Sequence, residues 1–249
     1  MSLSDQELER YARHIVLKEI GGAGQMRLKA ARVLIIGAGG IGSPAIQYLA
    51  AAGVGAIWII DEDRVDLSNL QRQTLFSDGD IGKLKIDAAK ARAHAINPHI
   101  EVYAVRDRIQ PRNVDMVADY DVVLDGTDNF ETRLLVADAA LRHRVPLVSA
   151  AVGEFEGQLG VFRGWEADKP CYRCFTGVDP ETPGVNCAEQ GVLGALTGVM
   201  GSLAALEVIR AIVPFGEDSA GKLLLADTLA LRFRTLTLPK DPGCPACGA

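Results

Sequence analysis

Positive charge is in short supply. The chain has 26 Lys and Arg against 32 Asp and Glu, a formal net charge of −6 with a pI near 5.3. It has no long basic tract and no basic-aromatic stripe, which excludes non-specific nucleic-acid binding as its main activity. Histidine is scarce too, and His14, His94, His99 and His143 have neither metal spacing nor a nucleophile partner, so they belong to surface or packing. The N-terminus lacks the apolar core of a signal peptide and carries Asp5, Glu7 and Glu9, which leads us to expect a cytoplasmic protein with reduced thiols. Long apolar runs are nearly absent. Gln190 to Leu206 is uncharged, but Gly191, Gly194, Gly198 and Gly201 punctuate it and Glu207 ends it, so we expect a buried helix packed through small residues and no membrane partner. Internal repeats and low-complexity segments are missing as well.

At 249 residues and 48% hydrophobic content, the chain is long enough for a sizeable core within one α/β domain. Ser4-Asp5-Gln6-Glu7 has capping-box spacing, and Leu8, Tyr11, Ile15 and Leu17 form an apolar stripe, predicting a helix to about Glu19 that Gly21-Gly22 stops. Strands and helices then alternate. Strands are expected at Val33–Ile36, Ala56–Ile60, Glu101–Val105, Val122–Asp125 and Leu147–Ala150, with helices at Gly40–Ala52, Lys83–Ile96 and Asn129–Arg144. This order implies a doubly wound, mainly parallel sheet whose ligands gather at the carboxyl ends of its strands, where Asp61, Asp125 and Asp128 fall. Gln158–Arg163 and Lys222–Leu238 read as strands without crossover helices, suggesting antiparallel additions around the glycine-rich helix.

The run from Gly37 to Gln73 carries most of the chemistry. Gly37, Gly39 and Gly42 stand in GxGxxG spacing after an apolar strand, and Asp61 ends the next strand where a ribose-binding carboxylate belongs. Glycine permits the tight turn and lets backbone N–H groups approach phosphate at a helix N-terminus. An NAD(P)-dependent oxidoreductase would share those features. It has no evident use for Ser68-Asn69-Leu70-Gln71-Arg72-Gln73 just beyond the ribose acid, whereas a nucleotidyl transferase must neutralise charge developing on a phosphoryl group, which favours ATP. Arg72 and Lys85 taken alone are as readily solvated charges. Asp128, where a strand hands over to a helix, is either a helix N-cap or a Mg²⁺ ligand. Arg13, by itself, reads as a surface charge.

Cysteine forms a second group. Cys171-Tyr172-Arg173-Cys174 and Cys244-Pro245-Ala246-Cys247 are two CxxC knuckles able to close a tetrahedral, structural zinc site that clips the C-terminal segment to the middle of the chain. Incidental or redox cysteines are the alternative, and a non-catalytic zinc scaffold is the function that would follow from the knuckles alone. Cys187 is left over, either a small buried hydrophobe or a thiolate activated near a helix N-terminus.

From Ser4 to Ala249 the sequence resembles the MoeB/ThiF family of E1-like adenylyltransferases. The resemblance rests on Arg10-Tyr11-Ala12-Arg13, Gly37 to Gly42, Asp61 to Asp63, Ser68 to Gln73, Lys85, Thr127-Asp128-Asn129, both knuckles and Cys187. It implies a single Rossmann-like adenylation domain over residues 1–249, with a helical arm (1–30), a nucleotide-binding core (31–150) and an antiparallel, zinc-bearing, carrier-binding part (151–249). It implies a homodimer that activates the C-terminal Gly-Gly of a ubiquitin-like sulfur carrier with ATP and Mg²⁺. Gly37, Gly39 and Gly40 would line the nucleotide, Asp61 would hold the ribose with Asp63 nearby, and Asn69, Arg72, Gln73 and Lys85 would meet the phosphates. Asp128 would be the Mg²⁺-side carboxylate, and Arg13 would reach the other subunit's phosphates like an arginine finger. Gly126 departs from a cysteine common before the Thr-Asp-Asn motif. No sulfurtransferase domain follows Ala249, so sulfur is expected from a separate persulfide donor. Whether Cys187 forms a covalent intermediate stays open at this point.

Overall fold

A computed structural model describes residues 2–177 and 191–248. Its centre is one eight-stranded sheet in the order β3-β2-β1-β4-β5-β6-β7-β8. The strands β1 (Arg32–Ile36), β2 (Ala56–Ile60), β3 (Glu101–Val105), β4 (Val122–Asp125) and β5 (Leu147–Gly153) run parallel. Then β6 (Glu156–Phe162), β7 (Lys222–Asp227) and β8 (Arg232–Thr237) add antiparallel. Continuous apolar runs such as Val33 to Ile36 and Val122 to Leu124 suit strands covered on both faces, and both runs are buried. The chain turns outward from β1 to β2 and β3, then returns beside β1 as β4. This reversal is the switch point at which such sheets bind ligands.

Helices cover both faces. On one lie α4 (Gly42–Ala52), α5 (Lys85–Ile96) and the long apolar helix α8 (Gly194–Ile212), whose Leu49, Ala89, Leu196 and Met200 join Val33, Ile35 and Ile57 in one core. On the other lies α6 (Phe130–His143), with Leu134, Val136 and Ala140 against Leu34, Val123 and Leu147. The glycine-rich run becomes α8, the one described helix long and apolar enough to cross a membrane. Here it lies across α4, and a Cβ on Gly201 would stand 2.4 Å from the Ile41 carbonyl oxygen, so the small residue sets the close approach. Its start at Gly194 lies after the predicted one at Gln190.

The N-terminal helix departs from expectation. The predicted single helix is two short ones, α1 (Asp5–Arg10) and α2 (Ala12–Ile15), and Gly21-Gly22 begins α3 (Gly21–Ala30) instead of stopping a helix. The apolar residues explain the break. Leu8 and Leu17 are exposed, while Tyr11 turns inward at the joint, where its ring fills the space a Cβ on Gly53 would occupy and its hydroxyl accepts from Asn97 Nδ2 at 2.7 Å. Gly24 is held to glycine by Val213, 2.9 Å from where a Cβ would lie.

Candidate nucleotide site and four-thiolate cluster

The site forms along the carboxyl ends of the parallel strands and the amino-terminal part of the antiparallel β6, in a cavity of about 800 Å³. That size is ordinary for a small-molecule site. Gly37 enters the turn after β1 with φ of +91°, a left-handed conformation that favours glycine, and a Cβ on Gly42 would stand 2.0 Å from the Gly37 carbonyl oxygen. The loop therefore folds back on its own first residue before α4 begins. Asp61, at the end of β2, locks onto it: the Ala38 N–H donates to Oδ2 at 2.8 Å and the Asp63 N–H to Oδ1 at 2.8 Å. Gly37, Gly39, Gly40, Asp61 and Asp63 all line the cavity.

Asn69, Arg72, Gln73 and Lys85 line the same space. Lys85, the first residue of α5, is buried and donates through Nζ to Asp63 Oδ2 at 2.7 Å. Arg72 donates to the Ser68 carbonyl at 3.0 Å, and its own carbonyl accepts from Thr197 Oγ1 at 3.2 Å, tying the loop to the first turn of α8. Gln73 is 4% exposed, yet its Oε1 has no partner among the described residues. A buried, unpaired acceptor beside Gly39 is what a ligand-binding amide looks like without its ligand. The glycine loop, the carboxylate on β2 and these polar groups together fit a nucleotide.

Across the switch point, Thr127, Asp128 and Asn129 complete the cavity at the end of β4. Asn129 caps α6, its Oδ1 accepting from Thr132 N–H at 2.8 Å, so Asp128, which lines the cavity, is spared the capping task. Arg13 is elsewhere: it lies exposed on α2 and does not line this chain's cavity. Cys187 lies outside the described residues.

Three buried residues shape this wall: Asp125, expected from the sequence only as a strand-end carboxylate, and Arg133 and Tyr172, which had no sequence signal of a role here. Asp125 accepts from Thr127 N–H at 3.0 Å and from its Oγ1 at 2.7 Å, fixing the turn before Asp128. Arg133, buried in α6, donates to the carbonyls of Thr127 and, at 2.8 Å, Ala150. Tyr172, buried inside a knuckle, lines the cavity as well. Arg133 and Tyr172 occupy positions that an ordinary core residue would fill, and only the packing of the first knuckle against α6 and the sheet brings them to the cavity.

The two knuckles do meet. Cys171 Sγ lies 3.8 Å from Cys174 Sγ and 3.6 Å from Cys244 Sγ, and Cys174 Sγ lies 3.4 Å from Cys247 Sγ. All four sulfurs fall within 4.8 Å of one another. A tetrahedron with metal–sulfur bonds near 2.3 Å has edges of about 3.8 Å, so the four thiols fit one metal ion with no open position. Burial opposes ionisation of Cys244, yet the N–H groups of Ala246 and Cys247 and the neighbouring thiols lower its pKa to about 7.

The fold and site define a nucleotide-binding α/β protein with unusual polar provision beyond the ribose acid. The sequence model described as the ThiF family matches residues 11–246, and the chain belongs to that family. It is 44% identical over 254 residues to the sulfur carrier protein adenylyltransferase of Thermus thermophilus, covering 100% of this chain and 93% of that protein. It is 42% identical over 247 residues to the molybdopterin-synthase adenylyltransferase of Escherichia coli, covering 99% of this chain and 98% of that one. Among solved structures, E. coli MccB with MccA-N7isoASN superposes with a TM-score of 0.86 at 25% identity, covering 99% of this chain and 76% of MccB.

Proposed function

We propose that this ATP-using adenylyltransferase activates the C-terminal glycine of a ubiquitin-like sulfur carrier protein, forming an acyl adenylate and pyrophosphate for sulfur transfer in molybdopterin or thiamine biosynthesis. One observation carries the reading: the glycine loop and Asp61 share a single cavity with Arg72, Lys85 and Asp128. The names of the two relatives support the substrate class.

The chemistry asks little of the protein beyond placement and charge. The carrier's terminal carboxylate is already a nucleophile; its oxygen bonds to the α-phosphorus and pyrophosphate leaves, so no general base is required. Gly37, Gly39 and Gly40 present backbone to the nucleotide while Asp61 takes the ribose hydroxyls. Asn69, Arg72, Gln73 and Lys85 meet the phosphates, and Lys85 exchanges part of its bond to Asp63 for them. Asp128 would hold Mg²⁺ with phosphate oxygens and waters, and the ion would supply further charge neutralisation. Zn²⁺ is the ion suited to the four-thiolate cluster, in a structural role. Arg13 serves the partner subunit's site in a homodimer, Cys187 is the candidate for covalent handover of the acyl group, and sulfur comes from a separate persulfide donor in the cytoplasm.

Mixing the protein with candidate carriers and ATP should give saturable, carrier-dependent pyrophosphate release. No release with any carrier, together with tight NADH binding measured by calorimetry, would replace this reading with an oxidoreductase.

A further inference from the structure

The knuckle Cys171–Cys174 is part of α7 (Tyr172–Thr176) and its N-cap, and this short helix faces two ways. Cys171 and Cys174 point to the thiolate cluster, while Tyr172, Phe175 and Thr176 line the nucleotide cavity. Both residues between the two cysteines also grip α6. Arg173 donates from Nε and Nη2 to Asp138 Oδ1 and Oδ2, each at 2.8 Å, a bidentate pair. The Tyr172 ring packs edge-on to Phe162 with centroids 5.2 Å apart, and its hydroxyl meets the side chains of Arg133 and Ser149. Arg133 in turn donates to the carbonyl of Thr127, the residue before Asp128. A continuous path thus runs from the thiolates through Tyr172 and Arg133 to the turn that presents Asp128.

We propose that the four-thiolate knuckle positions the Asp128 turn of the active cavity, with Tyr172 and Arg133 as the positioning residues that carry its rigidity. A metal that only fastened the segment around Cys244 to the body would have no need of these contacts. The glycine loop abuts the turn, since the Gly126 N–H donates to the Ile36 carbonyl at 3.1 Å, but it has holds of its own in the Gly42–Gly37 approach and the Asp61–Ala38 bond, neither of which involves α7. Loss of the metal should therefore loosen one side of the cavity and spare the other. Only the role given to Asp128 rests on the adenylation reading; the coupling itself does not.

Amide exchange of the full chain, followed by mass spectrometry without nucleotide, tests this directly. The amides of Gly126, Thr127, Thr132 and Arg133 are all hydrogen-bonded and report on the turn. Tyr172→Phe keeps the ring against Phe162 and removes the hydroxyl. With metal content unchanged, it should speed exchange across 126–133 by about fivefold and leave 37–42 at the wild-type rate. Stripping the metal from wild type should do the same, and should add nothing at 126–133 once Tyr172 is Phe. In the working enzyme Tyr172→Phe should raise the Mg²⁺ concentration for half-maximal rate with carrier KM unchanged. Wild-type exchange at 126–133 in Tyr172→Phe overturns the proposal, as does a stripped wild type whose changes stay within 171–176 and 240–248 or spread equally to 37–42. A wild type that exchanges as expected but releases no pyrophosphate would sink the adenylation reading and leave the coupling standing.

Discussion

Asp128 is the side chain whose surroundings say most about its task. It follows a buried strand and stands next to a dedicated helix cap, and it lines the cavity while Asn129 satisfies the helix end. Removing its carboxylate should therefore cost placement of charge at the phosphates rather than packing. Asp128→Ala should lower carrier-dependent pyrophosphate release by about 10² or more with a thermal midpoint close to wild type; undiminished release would refute the assignment. Residues of this kind were legible in the sequence because glycine spacing, a strand-terminal acid and a Thr-Asp-Asn turn each have a local physical meaning. Arg133 and Tyr172 were not. A buried arginine four residues into a helix carries no local mark, and its partners on Thr127 and Ala150 exist only once β4, β5 and α6 are packed.

Among the elements, strands were read more accurately than helices. β2, β3 and β4 fall on the predicted residues because a short apolar run between breakers has few other ways to be buried. The N-terminal arm was misread because its period is interrupted at Tyr11, which packs into the space left by Gly53, a contact between residues far apart in sequence. Its capping box is real: Glu7 accepts from Ser4 N–H at 2.8 Å and from Lys29 Nζ at 2.8 Å. Burial opposes ionisation of Glu7, but Lys29 and Ser4 hold its pKa down at about 2. A carboxyl with a lowered folded pKa adds stability that is complete above its unfolded pKa and is lost as pH falls through the folded one. Glu7→Gln should thus be less stable than wild type by ~1 kcal/mol at pH 7, with the gap closing between about pH 4.5 and pH 2. Urea titrations of both proteins at several pH values would show it; a gap independent of pH would mean that packing, not charge, makes the difference.

For the molecule as a whole, the sharpest expectation concerns two chains. Arg13 is exposed and does not line its own chain's cavity, so in the homodimer proposed above it would act at the partner subunit's site. Arg13→Ala and Asp128→Ala should each be inactive, and mixed dimers should recover activity because one of their two composite sites has both groups intact. An arginine supplied across an interface can contribute about 10³ or more in rate, so recovery would be plain; verified heterodimers without activity would return Arg13 to a surface role. The clustering of two knuckles distant in sequence was expected, since two CxxC pairs can together close one tetrahedral site. Their attachment to the cavity wall was not, because it depends on which face α7 turns inward.

The strand order has a consequence in time as well as in space. Val33 in β1 pairs with Ile57 on one side, a separation of 24 residues (57 − 33), and with Val122 on the other, a separation of 89 (122 − 33). During synthesis, β1 can gain its first neighbour 65 residues (122 − 57) before its second exists. At roughly 5–20 residues per second that interval is about 3–13 seconds, during which an apolar central strand shows an open edge to other chains. Nascent chains caught in that window should be the form of this protein most dependent on chaperones.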